Sequence, residues 1–234
     1  MQKNNIIFDL DNTLMDFKYT EEYAVSCLYK ELGLSYTPSN YEDFYKFQLH
    51  FWHEFENSSQ ELESGHLSKI DYIRAKLYVD YFKSLNLSID EGYNLLQVYI
   101  NNLGVKNQVY EGVDDILNYL SKKYPLYIAS NGPRSSQIRK LKNTSLLKYF
   151  KEIVTAEDLG YSKPSINFFN GMLDYFSIIP SDTVFIGDSL SSDISGANNV
   201  RIHSIWYNRN HGINNTPIIP NQEITDLNEL KKIL

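Results

Sequence analysis

Apolar residues follow two rhythms along this chain, and the change between them divides it. Ile6-Ile7-Phe8 is apolar at successive positions with no polar alternation, which predicts a strand buried on both faces, the usual condition of a central parallel strand. From Asp16 to about Gly104 the spacing is helical. Thr20 to Leu32 predicts a helix with Thr20 as its N-cap and Gly33 as its stop. Pro38 to Glu56 carries Phe44, Phe47, Leu49, Phe51, Trp52 and Phe55, too dense and too long for a strand. Leu67 to Leu85 repeats the pattern with Ile70, Ile73, Leu77, Tyr78, Tyr81 and Phe82, and Ile89 to Leu103 predicts a fourth helix. After Gly104 the rhythm is strand–helix–strand: helices over 113–122, 136–149 (one helix or a pair), 166–176 and 227–234, strands over 125–129, 152–155, 183–186 and 202–206. Asn208 to Gln222 reads as a loop. Alternating units of this kind imply an α/β fold, a parallel sheet with helices on both faces. The first strand must pair with strands that arrive after residue 104, so the helical stretch reads as an insertion. The expected division is 1–15 with 105–234 as the core, and 16–104 as a helical domain.

The strand ends carry the chemistry. Side chains two apart on an extended segment point to one side, so Asp9 and Asp11 are expected to converge beyond Phe8, at the carboxyl edge where open α/β sheets bind ligands. Two carboxylates this close repel unless a cation lies between them, and Mg²⁺ suits an all-oxygen site. Asp11-Asn12 is otherwise an ordinary turn sequence. The strand at 126–129 ends in Ser130-Asn131-Gly132, whose hydroxyl and backbone N–H groups suit phosphate oxygens, although the same triplet is also a common turn. The strand at 183–186 ends in Gly187-Asp188-Ser189, with Asp193 five residues beyond Asp188. Asp193 either joins that acidic edge or decorates the following helix. Lys163, in Tyr161-Ser162-Lys163-Pro164, is the cation best placed to help a divalent ion accept a phosphate; otherwise it is a solvated loop lysine.

Composition narrows the partners. The 234 residues carry a formal net charge of −7, which argues against a nucleic-acid polymer as ligand. The single cysteine, Cys27, forms no internal disulfide and reads as a small core residue of the first helix. No apolar run approaches a membrane span and no signal-peptide pattern opens the chain, so a cytoplasmic protein is expected, with a monomer as the default. His50 and His53 share a helix face with no third ligand in sight. The rings of Phe51, Trp52 and Phe55 read as bundle core before they read as a nucleobase platform.

Asp9-Leu10-Asp11-Asn12-Thr13, Ser130-Asn131, Lys163-Pro164 and Gly187-Asp188-Ser189 with Asp193 resemble the four ordered motifs of the haloacid dehalogenase-like hydrolases. The resemblance spans essentially the whole chain. It implies a Rossmann-like core with the helical stretch as an inserted cap. Trp206-Tyr207-Asn208 is similar to the Trp-x-Asn of the branch that hydrolyses pyrimidine and noncanonical nucleoside 5′-monophosphates. Val200-Arg201 departs from the Ala-Gly usual before the last strand, and Ser130 stands for the commoner Thr. The resemblance implies Asp9 as nucleophile and Asp11 as general acid and base. It also implies Mg²⁺ on Asp9, Asp188 and the Asp11 carbonyl, with Asp193 behind them and Ser130, Asn131 and Lys163 on the phosphate. Asp11 favours a phosphatase over a 2-haloacid dehalogenase, because a departing halide needs no proton. A sugar-phosphate phosphatase or phosphomutase of this fold, or a non-catalytic phospho-Asp module, are the remaining readings.

Overall fold

The computed structural model describes residues 4–56, 69–89 and 92–234, and the side chains of His53, Phe55 and Ile70 lie outside that description. Six strands, β1 (Asn5–Phe8), β2 (Leu126–Ser130), β3 (Phe150–Thr155), β4 (Thr183–Gly187), β5 (His203–Tyr207) and β6 (Gln222–Ile224), form one sheet in the order β3-β2-β1-β4-β5-β6. Every neighbouring pair is parallel. The chain therefore builds outward from β1 in one direction as far as β3, then returns to β1 and builds the other way from β4. That reversal between β1 and β4 is the topological switch point, where an α/β sheet opens a crevice at its carboxyl edge.

The unbroken apolar run of β1 is explained by its two faces. Ile6 and Phe8 pack with Ile128, Val184 and Ile186 against Val113, Ile116 and Leu120 of α5 (Val113–Leu120). Ile7 points the other way and joins Tyr127 and Phe185 against Phe168, Phe169 and Met172 of α8 (Ile166–Phe176). Between these helices the chain forms α6 (Arg134–Asn143) and the short α7 (Ala156–Leu159). The short α9 (Ser195–Asn199) and α10 (Leu230–Ile233) follow α8.

Two compact units result, residues 1–17 with 107–234, and residues 18–106. The second is built on α1 (Phe17–Glu31), α2 (Pro38–Glu56), α3 (Lys69–Ser84) and α4 (Gly92–Asn102). Its interior is aromatic: Phe44, Tyr78, Tyr81 and Phe82 are buried, and the buried Glu21 carboxylate accepts from Tyr41, Gln48 and Tyr99. Phe51 and Trp52 pack edge to face and are half-buried, and His50 is exposed.

Three details differ from the sequence expectation. α1 starts at Phe17, three residues early, because the Asn12 side chain accepts from the Phe17 N–H at 3.3 Å; Thr20 is buried inside the helix. Cys27 is only half-buried. The helix or pair of helices expected over 136–149 is a pair, α6 followed by a single 3₁₀ turn at Leu147–Tyr149. The tail forms a sixth strand, which a three-residue segment with one buried side chain, Ile224, does not signal by periodicity.

Candidate active site

Lys163 is the junction of the site. Its side chain is buried, and its three N–H groups reach Asp9 Oδ1 at 2.5 Å, Asp193 Oδ1 at 2.7 Å and the Ala129 carbonyl at 3.1 Å. Lysine is rarely buried unless paired, and here the two carboxylates hold its pKa above the usual range against the opposing effect of burial. The loop reading of Lys163 is right for the backbone and wrong for the side chain. Asn131 fixes that backbone: its side-chain oxygen accepts the Lys163 N–H at 2.8 Å, and its amide donates to the Lys163 carbonyl at 3.1 Å. Asn131 thus joins the loop after β2 to the loop before α8.

Asp188 and Asp193 reach the same point from the end of β4. Asp193 is buried, and its second oxygen accepts the Ser189 N–H at 3.0 Å. A Cβ at Gly187 would collide with the Asp193 carboxylate, so glycine is required there for Asp193 to fold back onto the strand end. Thr13 ties β1 to β4: its hydroxyl lies 3.2 Å from Asp9 Oδ2 and 3.4 Å from Asp188 Oδ1, and it accepts the Asp188 N–H at 3.1 Å. The Trp206 indole N–H donates to the Asp188 carbonyl at 2.8 Å. Asn208 binds Gly212 and Glu223, stapling the following loop to β6. Among the described residues, one group of potential metal-ligating side chains emerges, Asp9, Asp188 and Asp193, with one ligand atom from each lying within 4.8 Å of the others.

Asp11 takes a different place from the one expected. β1 ends at Phe8, so Asp11 lies beyond the extended segment and its carboxylate turns toward α6. Lys140 Nζ binds Asp11 Oδ1 at 2.6 Å, and Gln137 Nε2 donates to Asp11 Oδ2 at 2.8 Å. The same Gln137 amide reaches Ser130 Oγ at 2.5 Å, which also accepts the Gly132 N–H at 3.1 Å. A Cβ at Gly132 would strike the Gln137 side chain, so this glycine also makes room for a polar contact. Sequence reasoning missed Gln137 and Lys140. The available signal was the pair's spacing of three on a helix that directly follows the Ser130-Asn131-Gly132 turn.

Four carboxylates face two ammonium groups here, leaving two formal negative charges to be balanced. Burial, then the neighbouring Asp193 and Asp11 carboxylates, push the Asp9 pKa up to about 7 despite Lys163. Burial, then Asp9 and Asp193, push Asp188 up to about 8. Oxygen-only donors carrying uncompensated charge fit a hard divalent cation. With that charge balanced, the edge offers a buried carboxylate, a second carboxyl group held apart from it, and donors for an anion.

A parallel sheet flanked by helices, with acidic side chains gathered at its switch point, is the architecture of an α/β enzyme. The chain belongs to the haloacid dehalogenase-like hydrolases, whose family model it matches over residues 6–207. It is 32% identical to the pyrimidine 5′-nucleotidase PynA of Streptococcus pneumoniae, over 96% of this chain and 92% of that one. It is 24% identical to the pyrimidine 5′-nucleotidase YjjG of Escherichia coli, over 98% of this chain and 96% of that one. The crystal structure of the Bacillus subtilis HAD hydrolase YfnB bound to magnesium aligns with a TM-score of 0.87 at 27% identity, covering 100% of this chain and 99% of the other.

Proposed function

We propose that this hydrolase is a Mg²⁺-dependent phosphatase of nucleoside 5′-monophosphates that works through an aspartyl-phosphate on Asp9. The observation that carries the reading is the different setting of two neighbouring acids. Asp9 is buried against Lys163, whereas Asp11 is held apart by its own donors and keeps 19% of its side-chain surface open. An alkoxide leaving group needs a proton that a halide does not, and a second carboxyl group beside the nucleophile supplies it.

Asp9 attacks phosphorus, the bond to the leaving oxygen breaks, and Asp11 gives that oxygen its proton. Asp11 then takes a proton from the water that attacks the phosphoaspartyl group; inorganic phosphate leaves and the Asp9 carboxylate is restored. Lys163 and Ser130 neutralise the phosphoryl oxygens, while Asn131 keeps the Lys163 loop in place. Asp9, Asp188 and the backbone carbonyl of Asp11 would hold Mg²⁺, with Asp193 orienting Lys163 from behind. Bound there, the ion supplies positive charge to the phosphate and to the crowded carboxylates. The magnesium-bound structure of YfnB supports this cofactor. The two pyrimidine 5′-nucleotidases, similar over almost the whole chain, support the substrate class. Among the described residues no helix is long and apolar enough to cross a membrane, and we assign the enzyme to the cytoplasm.

Phosphate release from nucleoside 5′-monophosphates and sugar phosphates, each with Mg²⁺ and with EDTA, tests the reading. Mg²⁺-dependent release favouring pyrimidine nucleotides is the expected result. Release from sugar phosphates alone would keep the chemistry and discard the nucleotide, and no release from either class would overturn both.

A further inference from the structure

Lys140 is a fully buried lysine with no place in that reaction scheme. We infer that Lys140 and Gln137 of α6 are positioning residues that hold the Asp11 carboxyl group in its working orientation for proton transfer; this rests on the acid–base reading of Asp11. Each Asp11 oxygen has one donor from this helix, at 2.6 Å from Lys140 and 2.8 Å from Gln137. The other side of the ammonium is closed by the Phe17 ring, 5.0 Å from Nζ to the centroid. None of the Lys140 side chain is open to solvent, whereas 19% of that of Asp11 is. Lys140 therefore cannot meet a substrate directly, and any effect it has on the reaction passes through Asp11.

Stability alone is a poor reason for this pair. A buried ion pair is weak evidence for stability, since well-packed apolar residues of similar volume often serve as well or better. What the pair and the amide supply is geometry. They remove the rotational freedom of a carboxyl group that must give a proton to one oxygen and later take one from water near the same place, and small errors of placement cost such transfers heavily. The Gln137 amide also joins Asp11 to Ser130, so one helix sets the acid and a candidate phosphate-binding hydroxyl together.

The test compares Lys140→Met, Lys140→Arg, Asp11→Asn and the double variant Lys140→Met/Asp11→Asn on a nucleoside monophosphate and on p-nitrophenyl phosphate, whose leaving group needs little protonation. Full acid–base contributions are about 10²–10⁴-fold, so Lys140→Met is expected to lower kcat on the nucleotide by roughly 10- to 100-fold. The loss on p-nitrophenyl phosphate should be only about fivefold or less, with KM and Mg²⁺ dependence close to wild type and partial recovery in Lys140→Arg. In the Asp11→Asn background the same change should add almost nothing, because residues acting as a unit are not additive. Should Lys140→Met fail to fold, Gln137→Met carries the same comparison. Equal losses on both substrates, or a full further loss in the double variant, overturn the inference while a leaving-group-dependent Asp11→Asn leaves the reaction scheme standing. An Asp11→Asn enzyme equally impaired on both substrates overturns the scheme and the inference together.

Discussion

With Asp9 and Asp188 holding Mg²⁺ as proposed, protons and the ion would compete for the same oxygens. The pKa values of these two carboxyl groups are raised in the folded protein, to about 7 and about 8, from an ordinary 3.8. A group whose folded pKa is raised contributes stability that is complete below its unfolded pKa and is lost as pH rises through the folded value. In EDTA, thermal unfolding midpoints should therefore fall from about pH 4 upward, steepest between about pH 5 and 6.5, and level off as pH passes 7 to 8. Lys163 does not alter this window, because its pKa is also raised and its contribution stays complete below the usual lysine value. With Mg²⁺ the decline should flatten, and the stabilisation by the ion should grow with pH. A metal-free midpoint that rises across that range would show that the carboxylates ionise without penalty. At this scale the site was half legible. Asp9, Asp188, Asp193, Ser130 and Lys163 stand at strand ends or in the loop beside them, where a reader of the sequence looks. Lys140 sits in Arg134-Ser135-Ser136-Gln137-Ile138-Arg139-Lys140-Leu141-Lys142-Asn143, among three other cations, and nothing local tells which is turned inward. That choice is made by Asp11, 129 residues away.

At the scale of elements, β5 is tied to the acidic edge through Trp206. Trp206 is nearly buried at its end, and its indole N–H holds the Asp188 carbonyl across from β4 at 2.8 Å. Outer hydrogen bonds that orient metal-ligating residues are typically worth about 10- to 100-fold in metal affinity. Trp206→Phe keeps an aromatic ring, though a smaller one, and removes the donor, so the Mg²⁺ concentration for half-maximal activity should rise by roughly 10-fold, with kcat at saturating Mg²⁺ within about twofold. An unchanged Mg²⁺ requirement would make Trp206 a packing residue only. The elements themselves were legible in proportion to their length and amphipathicity. The strands at 126, 183 and 203 and the helices at 113 and 166 were readable because each buries a run of apolar side chains. β6 was not, because its pairing is carried by main chain, including the Asn208 N–H to the Ile224 carbonyl at 2.8 Å. The start of α1 was misplaced for a similar reason: its cap comes from Asn12, outside the helical pattern.

For the whole molecule, the consequence of the insertion lies in how the chain leaves the sheet unit and comes back. The outgoing and returning segments run side by side: Met15 bridges Val109 antiparallel, the Asp16 N–H binds the Gln108 carbonyl at 2.8 Å, and the Tyr110 N–H binds the Leu14 carbonyl at 3.1 Å. Residues 17 and 107 therefore end a paired ribbon, the arrangement that loops of about two to five residues close in ordinary hairpins. Every side chain placed in the site, from Asp9 to Asp193 and including Lys140, belongs to the unit formed by 1–17 and 107–234. That unit also holds both apolar layers of the sheet. Replacing residues 18–106 by a loop of about four residues rich in Gly and Asn should leave a protein that unfolds in one cooperative transition. Its midpoint should rise on adding Mg²⁺, and by more at pH 8 than at pH 6, since the protons that compete with the ion leave over that interval. Circular-dichroism melts with Mg²⁺ and with EDTA at the two pH values are sufficient. A cooperative transition blind to Mg²⁺ would mean that the carboxylates need the helical unit to hold their geometry, and no cooperative transition would mean that the sheet itself does.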